Sequence, residues 1–195
     1  MQAITPVFFT QKKSNYNKLQ CNPYDIDKDS LSCISKLPAV YHPPCASWGR
    51  LRKFSKFRPG EHWLAVWSII RLRKYGGILE HPAHSSLWRF MAMPLPGQKA
   101  DRFGGYSISI NQHWFGHKCA KNTFLYIVGC PQKNLPLIPI NFDAITHVIS
   151  TSCRKRAGAY TNNRCTKFER SATPVRLAEW LLLVASLCNQ NVKEQ

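Results

Sequence analysis

The chain has 195 residues, 44% of them hydrophobic, which fits one folded domain with a sizeable core and excludes a chain that stays unfolded. Its 27 Lys and Arg stand against 10 Asp and Glu, a formal net charge of +17. Self-repulsion at that charge calls for an anionic partner, and phosphate neutralisation by nucleic acid is the usual answer. No basic amphipathic helix marks a membrane surface, and Leu177 to Leu187, the longest apolar stretch, is too short to span one.

Met1 to Thr10 lacks a basic segment followed by a long apolar run, so no secretion signal is read there. The eight cysteines form no CxxC pair and are expected as reduced thiols of a cytoplasmic protein, without a disulfide framework. Thr5 to Phe9 reads as a first buried strand, followed by a polar stretch, Gln11 to Leu19, with short helical potential. Tyr24 to Asp27 reads as a short strand ending in carboxylates. Leu37 to Tyr41 reads as a strand that runs into His42-Pro43-Pro44-Cys45, where two prolines end the ladder.

A basic loop, Arg50 to Arg58, comes next. The clearest helix starts at Pro59, turns an apolar face of Trp63, Val66, Trp67, Ile70 and Tyr75, and stops at Gly76-Gly77. Ile78 to His81 is the next strand, and the strand–helix–strand order implies a parallel crossover. After an irregular excursion, Leu87 to Gly105, the runs Tyr106 to Ile110 and Phe124 to Val128 predict an antiparallel pair. A proline-rich connector and a basic, mobile surface loop around 150–172 lead to a final helix, 174–188, with Thr173 as its N-cap. The whole predicts one α/β domain, residues 1–195. Its sheet is open, mainly parallel and Rossmann-like, with the antiparallel pair at one edge and helices on both faces.

Several segments carry candidate chemistry. Cys45 follows a strand that should be central, which puts its thiol at the carboxyl edge where open α/β sheets bind ligands. A thiolate needs nearby positive charge, and His42, Arg50, Arg52 and Lys53 are close in sequence. A buried structural cysteine is the plain alternative. Glu80 ends the next strand. If the two strands are neighbours, a nucleophile and a carboxyl acid share one rim, an arrangement suited to covalent attack on a ring with protonation elsewhere on it. A solvated strand-end carboxylate is the alternative there. His42, His81 and His113 stand near these positions as supporting groups.

Within Gln112 to Cys119, the spacing of His113, His117 and Cys119 matches no zinc template, and no metal is predicted. Aromatic rings interleaved with His117, Lys118 and Lys121 suit stacking on a base and contact with phosphate. Two basic clusters complete the nucleic-acid signal: Arg50, Arg52, Lys53, Lys56 and Arg58, then Arg154, Lys155 and Arg156, continuing to Arg164, Lys167 and Arg170. Phe9 to Asn17 contains no glycine, which disfavours a phosphate-binding loop of the kinase or dinucleotide type. A metal-dependent nuclease built on His113, His117 and Glu80 would need more carboxylates than this rim offers.

The order of these motifs resembles the catalytic half of the cytosine-C5 DNA methyltransferases. In that family a strand ends in Pro-Pro-Cys, whose cysteine attacks the cytosine ring, matched by Cys45. A later strand ends in Glu-Asn-Val, matched at Glu80, although His81-Pro82 replaces Asn-Val. Phe115-Gly116 and Phe124 to Gly129 are similar to the outline of the family's closing strand pair, with Lys118 and Lys121 nearest to its missing arginines. Thr173 to Ala178 is similar to its last helix. The resemblance implies S-adenosylmethionine as cofactor, but the glycine-rich loop that holds it has no counterpart after Phe9. The layout from His-Pro-Pro-Cys to Gly-Gly-Ile-Leu-Glu-His-Pro also resembles a group of small phage and prophage proteins, which implies a bacterial host cytoplasm.

Two readings follow. One is an enzyme that modifies a pyrimidine base in DNA through Cys45, on a flipped-out base if the target is duplex. The other is a non-catalytic basic protein that grips nucleic acid, or a host nucleoprotein complex, to block bacterial defence.

Overall fold

The computed structural model describes residues 4–50, 52–56, 58–149 and 163–188. Strands β1 (Pro6–Phe8), β2 (Asn22–Tyr24) and β3 (Ala39–Tyr41) precede helix α1 (Glu61–Tyr75) and strand β4 (Gly77–Pro82). A single helical turn, α2 (Leu87–Phe90), leads to β5 (Tyr106–Asn111) and β6 (Asn122–Val128), and then come α3 (Lys167–Ser171) and α4 (Val175–Leu187). The six strands make one sheet in the order β2-β1-β3-β4-β6-β5. The first four are parallel, and β6 runs antiparallel to both β4 and β5. A mixed, mostly parallel α/β sheet with an antiparallel pair at one edge is therefore what the chain forms.

Alternation along the short strands decides where each side chain goes. Val7, Val40 and Ile78 share one core with Leu177, Leu181 and Val184 of α4. Phe8, Tyr41 and Leu79 enter a second core with Ala65, Ile69 and Leu72 of α1. Helices thus cover both faces, and each fully buried aliphatic or aromatic side chain contributes about 1.5–3 kcal/mol. At the start of β4, Gly77 pairs with Ala39 of β3 at φ +122°, and a Cβ there would collide with the Ala39 backbone. Only glycine lets these two central strands approach so closely.

The helix face differs from expectation. α1 buries Ala65, Ser68, Ile69 and Leu72 against the sheet, whereas Trp63 and Ile70 are 58% and 59% exposed. The stripe through the small and branched residues lies against the sheet, and Trp63 and Ile70 are turned away from it. Trp67, half-buried, packs edge-on against Phe8 and Phe9. The helix also begins at Glu61, after Gly60, two residues later than Pro59.

Of the expected mobile loop, residues 150–162 lie outside the described residues. The remainder is structured: α3 opens with a reciprocal capping box between Thr166 and Glu169. Helix α4 starts at Val175 with Pro174 as the capping residue, one position beyond Thr173. Cys119 and Cys165 are joined as a disulfide across 46 residues, which corrects the expectation of reduced thiols for this pair. His147 bridges to Cys119 and Val148 to Arg164, so one short extended segment draws the two cysteines together. Among the described residues no helix is long and apolar enough to cross a membrane.

Candidate functional site

The carboxyl ends of β1, β3 and β4 open into a cavity of about 1430 Å³. Cys45, Glu80, His42 and Tyr16 all line it, together with Lys121 at the foot of β6. The ladder between β3 and β4 sets this meeting, because Tyr41 pairs with Leu79 and both chains then reach the same edge. His42 extends the pairing by donating its N–H to the Phe8 carbonyl at 3.1 Å. Past the two prolines the chain turns, and the Cys45 carbonyl accepts from the N–H groups of Trp48 and Gly49.

Glu80 is held on both oxygens. Oε2 lies 3.1 Å from His42 Nδ1, and Oε1 accepts from Gln112 Nε2 at 2.8 Å. The other ring nitrogen of His42 is 2.8 Å from the Tyr16 hydroxyl. A neutral His42 with its proton on Nδ1 satisfies both contacts, donating to Glu80 and accepting from Tyr16. Burial and the Glu80 charge push the Tyr16 hydroxyl well above its ordinary pKa, so it stays a donor. Burial also opposes the charge on Glu80. Lys121 and the hydrogen bond from His42 outweigh it, holding the carboxyl at about 2. Glu80 is therefore held as an ionised acceptor.

Cys45 is exposed at the cavity wall. Burial of its surroundings, then the Glu80 charge, raise its thiol pKa, and Lys121 pulls the other way. The cation that favours the thiolate is thus Lys121 and not Arg50, Arg52 or Lys53, which do not line the cavity. Of the first basic cluster only Arg58 reaches the cavity, where it pairs with Glu61 at 3.4 Å. Arg50, Arg52, Lys53 and Lys56 are exposed on the adjoining loop, and Arg154, Lys155 and Arg156 lie outside the described residues.

The remaining histidines are not in the cavity. His81 points to the opposite face of the sheet, fully buried beside Trp88, with neither ring nitrogen hydrogen-bonded. Burial depresses its pKa to about 4. His113 lies between the carbonyls of His117 and Asp143, at 2.8 and 2.7 Å. His117 Nδ1 accepts from the Cys119 N–H, and its Nε2 faces the Glu169 carbonyl. These two rings fasten loops, and Lys118 pairs with Glu169 at 2.6 Å. Among the described residues no group of three or more His, Cys, Asp and Glu is placed to hold a metal ion.

Sequence reasoning missed Tyr16 and the clamp made by Gln112. Nothing marks Tyr16, a single ring in a polar stretch 26 residues before His42. Gln112 opens the histidine-rich segment that drew attention for its imidazoles, and its place directly after β5 was the usable signal.

The residues after β1 do not fit S-adenosylmethionine as the resemblance implies. Phe9 adopts a left-handed φ of 63°, and its N–H is taken by Ser30 Oγ; the Thr10 N–H is taken by the Tyr24 carbonyl. Asp25, just beyond β2, accepts from its own loop at Asp27 and Lys28, and Asp27 pairs with Lys12. The first two backbone donors after β1 and one oxygen of Asp25 are thus committed to the fold.

Comparisons with protein-family models, with curated proteins and with solved structures found no match to this chain.

Proposed function

We propose that this protein binds nucleic acid, with DNA as the favoured form, and acts on a pyrimidine base through Cys45, on a Rossmann-like core of cytosine-C5 methyltransferase type. The observation that carries the reading is that Cys45, Glu80 and Lys121 line one cavity at the carboxyl edge of adjacent parallel strands. The Cys45 S–H adds across the C5=C6 bond: sulfur bonds to C6 and a proton enters at C5. Reversal expels the thiol while a C5 hydrogen leaves to solvent, so C5 becomes the reactive carbon. Glu80 accepts a ring or exocyclic N–H, and the Lys121 ammonium is the proton-bearing group beside it. Exposed Trp63 and Phe168, which also line the cavity, offer faces on which a base stacks.

The first step needs no second substrate, so it is tested directly. A cytosine-containing oligonucleotide incubated with the protein in heavy water should gain deuterium at C5, read by mass spectrometry. Cys45→Ala should lose the exchange. Equal exchange with and without the thiol overturns the reading.

One feature favours the non-catalytic alternative, a basic protein that holds nucleic acid or a host nucleoprotein complex: desolvation at the cavity wall and the Glu80 charge raise the Cys45 thiol pKa, which disfavours the thiolate. In that case Cys45→Ala leaves binding intact and no exchange occurs with the wild type.

A further inference from the structure

The carboxylates and cations that line the cavity are unequally committed. Asp25 and Asp29 cap their own loops, Glu61 pairs with Arg58, and Glu80 is clamped by His42 and Gln112. Lys13, Lys121, Lys167 and Arg170 also line the cavity, and among the described residues none has an ion-pair partner within 4.0 Å. Lys121 acts on Glu80 and Cys45. The other three are left unneutralised on two walls that are tied together, since Asn15 Nδ2 donates to the Thr173 carbonyl at 2.8 Å.

The way α3 is fixed points the same way. Its single acid, Glu169, is drawn out of the cavity by Lys118 and by its capping box with Thr166. The Glu169 carbonyl meets His117, and Cys165, just before the helix, is bonded to Cys119. The turn therefore presents Lys167, Phe168 and Arg170 to the cavity while its negative charge faces elsewhere.

From this we infer that Lys13, Lys167 and Arg170 form a phosphate site that holds the nucleotide whose base is offered to Cys45. The inference rests on the pyrimidine reading above for the base, but on charge and geometry alone for the phosphate. The ligand chemistry is a nucleotide phosphate, supplied either by a strand or by a free nucleotide. The cavity exceeds the ~300–1,000 Å³ of an ordinary small-molecule site, which leaves room for a nucleotide within a strand.

Anisotropy of a fluorescein-labelled, twelve-nucleotide single-stranded DNA gives the test. A triple variant, Lys13→Gln, Lys167→Gln and Arg170→Gln, should bind at least ten-fold more weakly. The slope of log affinity against log salt should flatten by about 2, at roughly 0.7 for each lost phosphate contact. Lys133→Gln, on the connector outside the cavity, should bind like the wild type. Competition by deoxycytidine monophosphate but not deoxycytidine supports the site with a free nucleotide as ligand; competition by unlabelled strand alone supports it with the strand. A triple variant with unchanged affinity and slope, or displacement of the strand by deoxycytidine as effective as by its monophosphate, overturns it. Absence of C5 exchange alongside a weakened triple variant would refute the Cys45 chemistry and leave the phosphate site standing.

Discussion

The Gln112 amide donates to Glu80 Oε1 at 2.8 Å and to Thr123 Oγ1 at 3.1 Å, so the antiparallel edge of the sheet holds the carboxylate of its parallel half. Gln112→Leu strips one donor from an ionised, largely enclosed carboxylate. A loss of about 1–3 kcal/mol is expected in urea unfolding, together with slower C5 exchange. Thr123→Val leaves the clamp on Glu80 in place and should cost less.

The Cys45 thiol should titrate above the ordinary range, because desolvation by the cavity wall and the Glu80 charge both favour the protonated form. Alkylation of Cys45 by iodoacetamide, followed peptide by peptide, should accelerate only at correspondingly alkaline pH. Glu80→Gln should move that inflection down and Lys121→Met should move it up. An inflection below the ordinary thiol range in the wild type would contradict the electrostatics described for the cavity.

Acid should destabilise the protein in two successive windows. His81 has a folded pKa of about 4 against an ordinary 6.5, so its contribution is complete above 6.5 and is lost as pH falls towards 4. Glu80 has a folded pKa of about 2 against 4.5, so its contribution is complete above 4.5 and is lost as pH falls towards 2. Each amounts to roughly 3 kcal/mol, at ~1.4 kcal/mol per pH unit. Urea midpoints measured from pH 8 downward should follow this course, and His81→Phe should shrink the upper window, to which the lowered His117 also contributes, while keeping the lower.

Reduction should loosen α3. The disulfide between Cys119 and Cys165 closes a loop of 46 residues, and its loss should cost about 2–4 kcal/mol. Thiol counting on the denatured chain should find at least two fewer free thiols before reduction than after. A chain whose unfolding is indifferent to dithiothreitol would argue against the linkage.

Gly77→Ala should be among the most damaging single substitutions. The added Cβ meets the Ala39 backbone, and φ of +122° is strained for any side chain. A loss exceeding about 3 kcal/mol in urea unfolding, or failure to fold, is expected. Gly97→Ala, where nothing lies within 4 Å of an added Cβ, carries only the strain of φ +85° and should cost much less.

The elements with a local signature were legible in the sequence: the runs around Val7, Val40, Ile78 and Leu125 are strands, and the strand–helix–strand order made β3 and β4 parallel neighbours. That adjacency brought Cys45 and Glu80 to one rim, as the motif positions implied. Contacts with no periodic or spacing signal were not legible. The partnership of Tyr16 with His42 and of Cys119 with Cys165 depends on how loops cross over the sheet, not on any pattern within them. The α1 face was misread because its rings are the most hydrophobic side chains in the segment, whereas close approach to the sheet selects Ala65, Ser68 and Ile69. The charge state of Glu80 follows from Lys121, 41 positions away, and no local rule links the two.

Glu80 and His81 occupy consecutive places on β4 but opposite sides of the sheet. A slip of β4 by one residue against β3 would exchange them, presenting an imidazole to the cavity and forcing a carboxylate into the dry interior beside Trp88. The close fit of Gly77 against Ala39 thus acts as an index stop: it determines which functional group the cavity rim displays, though it lies at the far end of the strand.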